Sequence, residues 1–165
     1  MSLSTVTLRV GCMLLVACQA EPPLPEPVPA DPLWPVVSQM LGARCGSLDC
    51  HGQTARPLRL YHRHGLRLDA ANQPGEGNTT AAEHDANLRA TLALEPELTA
   101  TVFADDGRDP ERLTLVRKAL GLEKHKGEAA LGIGSAADRC LRSWLKGATD
   151  EALCLEGTRL ERQEP

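Results

Sequence analysis

Aromatic side chains are scarce: Trp34, Tyr61, Phe103 and Trp144 make up the whole set, 2% of 165 residues. A core assembled from Leu, Val and Ala is thin in large side chains. A buried cofactor can fill the volume that rings fill elsewhere, although Ala- and Leu-rich domains also fold without one. No basic block is present and the net charge is a mild -4, which speaks against a nucleic-acid partner. No nucleophile–base pair, phosphate-binding loop or convergent carboxylate set can be read along the chain, so nothing in it suggests an enzyme. Methionine is limited to Met1, Met13 and Met40. The length suits one ordinary domain, not two.

What is present begins with an apolar run, Val10 to Ala17, behind a lone Arg9. At about 8 residues it is far short of the roughly 20 that a membrane-spanning helix needs, and it fits the hydrophobic stretch of a secretory signal. Leu15-Val16-Ala17-Cys18 resembles a bacterial lipobox. That resemblance implies cleavage before Cys18, lipid on its thiol and amine, and stable membrane attachment through several acyl chains. Residues 1–17 are thus expected to be a lipoprotein signal peptide. Residues 18–33 form a tether, because seven of the residues from Glu21 to Pro35 are proline and such a segment favours an extended, semi-rigid polyproline conformation. The folded domain is expected over 34–160, with a charged tail at 161–165.

Within the domain, Pro35 suits the first turn of a helix over Val36 to Arg44, which delivers Cys45. Pro57 to Tyr61 and Leu66 to Leu68 alternate apolar and basic residues across a turn at His62 to Gly65, and predict a short β-hairpin. Neither His62 nor His64 is expected to be a ligand. Thr80-Ala81-Ala82-Glu83 reads as a capping box opening a helix from Ala81 to about Leu94, with His84 turned toward the core edge. A short helical turn is expected over Glu97 to Phe103. Asp109-Pro110 predicts a helix from Pro110 to Leu120 ended by Gly121. Ser135 to Asp138 reads as a second capping box, opening a helix to about Lys146 with Leu141, Trp144 and Leu145 inward. Cys154 falls in a short acidic segment with the pattern of a last helical turn.

The most informative stretch is Arg44-Cys45-Gly46-Ser47-Leu48-Asp49-Cys50-His51-Gly52. Two cysteines followed at once by histidine resemble the Cys-x-x-Cys-His attachment signature of c-type haem, here with four intervening residues instead of two. In that reading each thiol adds to one haem vinyl group and His51 ligates the iron. The plain alternative is a small loop closed by a Cys45–Cys50 disulfide. After the signal is removed and Cys18 is lipidated, Cys45, Cys50, Cys140 and Cys154 remain, in an oxidising compartment. With haem on the first two, Cys140–Cys154 is the natural disulfide, worth about 3 kcal/mol for a loop of about 15 residues in the chain-entropy model. Without haem, two local disulfides are expected, and cross-pairing of the two sets is a third outcome. A thiol zinc site is disfavoured by the same oxidising setting.

The order of features resembles the c-type cytochrome family: Cys45, Cys50 and His51 just after a first helix, and a last helix carrying Trp144. The resemblance implies a mainly α, cytochrome c-like small helical domain whose terminal helices pack across each other, with a second iron ligand from the loop before the last helix. The family's usual ligand there is methionine; this chain has His125 in that loop instead. Lys124-His125-Lys126-Gly127 is also similar to a His-Lys-Gly stretch of cytochrome-like envelope proteins of some soil bacteria. The implied haem c site is Cys45 and Cys50 for covalent attachment and His51 and His125 for the iron. Arg56 and Arg59, with Arg67 nearby, are candidates to pair with the propionates. The implied function is one-electron transfer with a redox partner protein, from a lipid anchor in the cell envelope facing the periplasm. The alternative is a non-enzymatic, disulfide-stapled envelope lipoprotein without haem.

Overall fold

A computed structural model describes residues 30–159. The signal peptide, Cys18, most of the tether and the tail from 161 onward lie outside the described residues. The described part is mainly helical: α1 (Trp34–Cys45), α2 (Ala81–Leu92), α3 (Pro96–Ala104), α4 (Thr114–Ala119), α5 (Ala136–Leu145) and α6 (Glu151–Gly157). No helix among these residues is long and apolar enough to cross a membrane.

Helix α1 carries Pro35 in its first turn and buries Val37, Met40 and Leu41 completely. Full burial of such side chains is worth about 1.5–3 kcal/mol each, and this packing stabilises a helix too short to stand alone. Trp34, at the other end from Cys45, meets Trp144 of α5 with ring centres 4.9 Å apart, and Phe103 of α3 meets Trp144 edge-on at 5.1 Å. Three of the chain's four aromatic residues are therefore spent on one cluster near the start of α1. Helices α5 and α6 are joined by a Cys140–Cys154 disulfide, and both pack on α1. Arg44 donates to the carbonyls of Gly157 and Arg159 at 2.8 and 2.7 Å, tying the end of α1 to the end of α6.

Helix α2 opens with the expected capping box: Thr80 accepts from the Glu83 amide, and Glu83 accepts from the Thr80 amide. Ser135 caps α5 by accepting from the Asp138 amide. Asp138 departs from the reciprocal pattern and takes the Gly134 amide and the Arg142 guanidinium instead.

Two expected elements differ. The helix from Pro110 to Leu120 is split. Asp109 adopts a left-handed conformation (φ 47°) with no capping bond, and Pro110–Arg112 make one 3-10 turn. Leu113 is extended, and α4 begins only at Thr114, whose amide and hydroxyl both donate to Glu95. A side chain from before α3 thus supplies the cap that restarts the helix.

The β-hairpin is absent among the described residues; a single bridge between Tyr61 and Leu66 stands in its place. The backbone donors of the first strip are already committed. Leu60 donates to the carbonyl of His51 at 2.9 Å, and Tyr61 donates to the side chain of Asn87 at 2.7 Å. In the second strip the alternation is inverted: Arg67 is buried and Leu68 exposed. Arg67 makes a bidentate pair with buried Glu83 at 2.8 and 3.2 Å and donates to the carbonyls of Glu76 and Asn78. Burial by itself raises the Glu83 pKa, but the hydrogen bonds from Arg67 and from the Thr80 and Leu68 amides outweigh it and bring it to about 2.

Candidate functional site

The last turn of α1 runs into the motif. Gly46 donates to the Gly42 carbonyl, Cys50 and Gly52 both donate to the Ser47 carbonyl, and His51 donates to the Cys45 carbonyl, each at 2.9 Å. The two extra residues of the wider spacing are taken up in this turn, with Leu48 and Asp49 on its exposed side. Gly52 and Gly65 approach the turn so closely that a β-carbon would lie 2.4 and 2.1 Å from the Gly46 carbonyl oxygen. At both positions the backbone of the 51–65 segment is packed directly against the cysteine turn, and only glycine permits it.

Cys45 is buried and Cys50 half-buried, and neither is in a disulfide. Burial pushes the Cys45 thiol up to about 12, with the neighbouring Cys50 adding to the effect and Arg44 opposing it. Cys45 is thus held as a neutral thiol, a poor nucleophile on its own.

His51 is fixed by its ring as well as its backbone. Its Nδ1 lies 2.9 Å from the Leu58 carbonyl oxygen. A carbonyl can only accept, so Nδ1 carries the proton, and in the neutral ring Nε2 keeps its lone pair free. Burial lowers the His51 pKa, with the Leu58 bond opposing the shift and nearby His125, Arg56 and Lys118 reinforcing it. Each of these facts favours a neutral imidazole able to bind a metal.

Opposite His51 is His125, from the loop between α4 and α5. The two rings are 5.7 Å apart, centre to centre, with planes 13° from parallel. The rings are thus stacked close to parallel. Both rings face a cavity of about 410 Å³, within the range of roughly 300–1,000 Å³ usual for small-molecule and cofactor sites. Cys45 and Cys50 line it too, and its apolar walls come from Pro57, Leu58, Leu94, Leu115, Ala119 and Ala130.

Of the arginines considered from sequence, Arg56 lines the cavity and donates to the Cys50 carbonyl at 3.1 Å. Arg59 does not line it and donates instead to the Thr54 carbonyl. Arg67 is committed to Glu83. Lys118 and Lys126 line the cavity beside Arg56 and were not anticipated. Leu115, Lys118 and Ala119 recur at helical spacing on α4, and that periodicity is the signal that points to one cavity-facing stripe. The Leu58 carbonyl has no signal of its own in the sequence, since any residue provides one.

Among the described residues no group of three or more His, Cys, Asp or Glu is arranged to hold a metal ion, although two thiols and two imidazoles share the cavity. Two thiols, two imidazoles and apolar walls are the kinds of group that would hold a haem. No family model, curated protein or solved structure matches the chain.

Proposed function

We propose that this chain is a lipid-anchored c-type haem protein of the cell envelope, facing the periplasm, that carries single electrons and is not an enzyme. The observation that carries the reading is the pairing of His51 and His125 across a cavity also lined by two unjoined cysteines. The alternative without haem calls for a second disulfide, between Cys45 and Cys50. The helical architecture, with Trp34 of the first helix against Trp144 of α5, is in keeping with a cytochrome c-like domain.

In this reading haem supplies one-electron chemistry through its ferric and ferrous states. The residues do the rest. Cys45 and Cys50 would provide the thiols for two thioether links. His51 offers Nε2 while the Leu58 carbonyl holds its Nδ1 proton and fixes the ring; such a partner raises ligand basicity. Leu58, Leu94 and Leu115 supply apolar wall to the cavity. Arg56, Lys118 and Lys126 offset the negative charge of carboxylates at its edge. Two imidazoles in place of the usual imidazole–methionine pair would give a lower potential, because methionine ligation raises it.

The test is an intact-mass spectrum and an absorption spectrum of the mature protein made in an exporting host that attaches haem. The expected result is a mass gain of one haem that survives denaturation, together with a Soret band. A colourless protein lighter by four hydrogens, with Cys45–Cys50 and Cys140–Cys154 both closed, would establish the disulfide-stapled alternative.

A further inference from the structure

The two imidazoles that face the cavity are held very differently. His51 is pinned by elements on either side: its amide to Cys45, its carbonyl to the Leu60 amide and its ring to Leu58, all at 2.9 Å. Among the described residues, His125 is hydrogen-bonded only within its own loop. Its carbonyl accepts from the Glu128 amide at 3.1 Å, and its Nδ1 lies 3.4 Å from the Glu128 carbonyl, outside the usual 2.7–3.2 Å range. A strong Nδ1–H bond to a carbonyl raises the basicity of the ligating nitrogen, so His51 is the stronger ligand and His125 the weaker.

The loop is fixed at its two ends. Its stem is clamped: Leu122 donates to the Arg117 carbonyl and Leu131 to the Ala119 carbonyl, at 2.8 and 2.9 Å, and Glu123 pairs with Arg117 and Lys118. Between these clamps Lys124, Lys126, Gly127, Glu128 and Ala129 are all exposed. Glu128 sits at φ +52°, a left-handed conformation that strains a residue with a side chain. Exposed backbone, few buried contacts and local strain mark a segment that opens far more readily than the core.

We propose, on the basis of the haem reading above, that His125 is a displaceable ligand and that its side of the cavity is a binding site for a diatomic π-acceptor gas. His51 remains in place throughout. Nε2 of His125 leaves with its electron pair, and the incoming ligand donates a pair in its stead, so no oxidant or reductant is consumed. The cavity that His125 lines has apolar walls from Leu94, Leu115 and Ala130, with Lys118 and Lys126 also on its lining, and the apolar part suits an uncharged ligand. The protein then senses or carries such a gas in addition to carrying electrons.

Carbon monoxide is the probe. The full mature protein, loaded with haem and reduced, is mixed rapidly with CO and followed by absorption. The expected result is a low-spin spectrum beforehand and a CO uptake rate that levels off as CO is raised, because loss of His125 becomes limiting. His125→Ala is expected to lose the low-spin spectrum, to take up CO at a rate proportional to its concentration, and to bind it about tenfold or more tightly, since the open state is no longer a minor population. A wild-type protein that takes up no CO while His125→Ala does would overturn displacement. So would uptake proportional to CO and equal in the two proteins. Hydrogen exchange on the haem-free chain gives an independent readout: amides from 124 to 130 should exchange many times faster than those of His51 and Leu60, and equal protection counts against the proposal. Failure of haem to attach is seen separately, in the mass, and removes the reading on which this one rests.

Discussion

His51 and Cys45 are neighbours whose protonation is set by one cause, removal from water. Burial lowers the histidine and raises the thiol, so both are held in their uncharged forms. For the imidazole that is the form that binds a metal. For the thiol it means that bond formation has to be assisted, because the neutral group is a weak nucleophile. If both cysteines form thioethers, each single variant, Cys45→Ala or Cys50→Ala, retains a covalent haem through the remaining link, and the double variant loses it. Mass spectra of the three denatured proteins check this directly: a single variant with no mass gain would reduce the attachment to one cysteine. His51→Ala differs from all three, since it keeps both thiols and removes the ring that the Leu58 carbonyl orients.

At the scale of elements, the site depends on a segment with almost no regular structure. Residues 52 to 68 are held by side chains reaching in from helices, not by a ladder of strands. Asn87 of α2 both accepts from the Tyr61 amide and donates to the Tyr61 carbonyl, at 2.7 and 2.8 Å, which imitates a strand partner with one amide side chain. Asn87 and His84 in turn meet the Ser38 hydroxyl of α1, each at 2.9 Å. Arg67 and Glu83 anchor the far end. Removing one partner of a buried ion pair leaves the other charge uncompensated, so Arg67→Leu is expected to cost about 3–5 kcal/mol. Denaturant unfolding measures this cost. The double change Arg67→Leu with Glu83→Leu should recover part of it, because no buried charge is then left alone.

For the whole molecule, pH is the sharpest probe of how these parts are assembled. Desolvation lowers the pKa of His51, His62 and His84 in the folded chain from the ordinary 6.5. For His51 the Leu58 bond opposes the shift, and for His84 the charges of Glu83 and Asp85 do so. A group depressed on folding binds its proton more readily when unfolded, so stability rises with pH through the interval between the two values. The haem-free chain is therefore expected to hold a constant unfolding midpoint above about pH 7 and to lose stability as pH falls below about 6.5. Glu83 extends the loss: its contribution is complete above its ordinary 4.5 and disappears as pH falls toward about 2. A thermal midpoint that did not fall between pH 7 and pH 5 would show that these histidines are not desolvated. His84→Gln should flatten the first part of the profile, since the residue is buried among α1 and α2.

Local chemistry was legible along the chain. The proline at the start of α1, the Thr80–Glu83 capping box, Ser135 at the head of α5 and the apolar face of Leu141, Trp144 and Leu145 all depend on spacing over a few residues, and the backbone follows them. The motif at Cys45, Cys50 and His51 is likewise a local pattern. What depends on partners distant in the chain was not legible. The strips at Pro57–Tyr61 and Leu66–Leu68 carry a two-residue period, yet they make no hairpin, because Asn87, His51 and Glu83 take their hydrogen bonds and charge first. The helix at Pro110 breaks at Leu113 because Glu95 offers a better cap. Sequence order could nominate His125, but the 5.7 Å approach of its ring to His51 depends on α4 and the clamped stem of its loop. Short-range pattern determines which helices form; competition among distant donors, acceptors and charges decides how the chain between them is held.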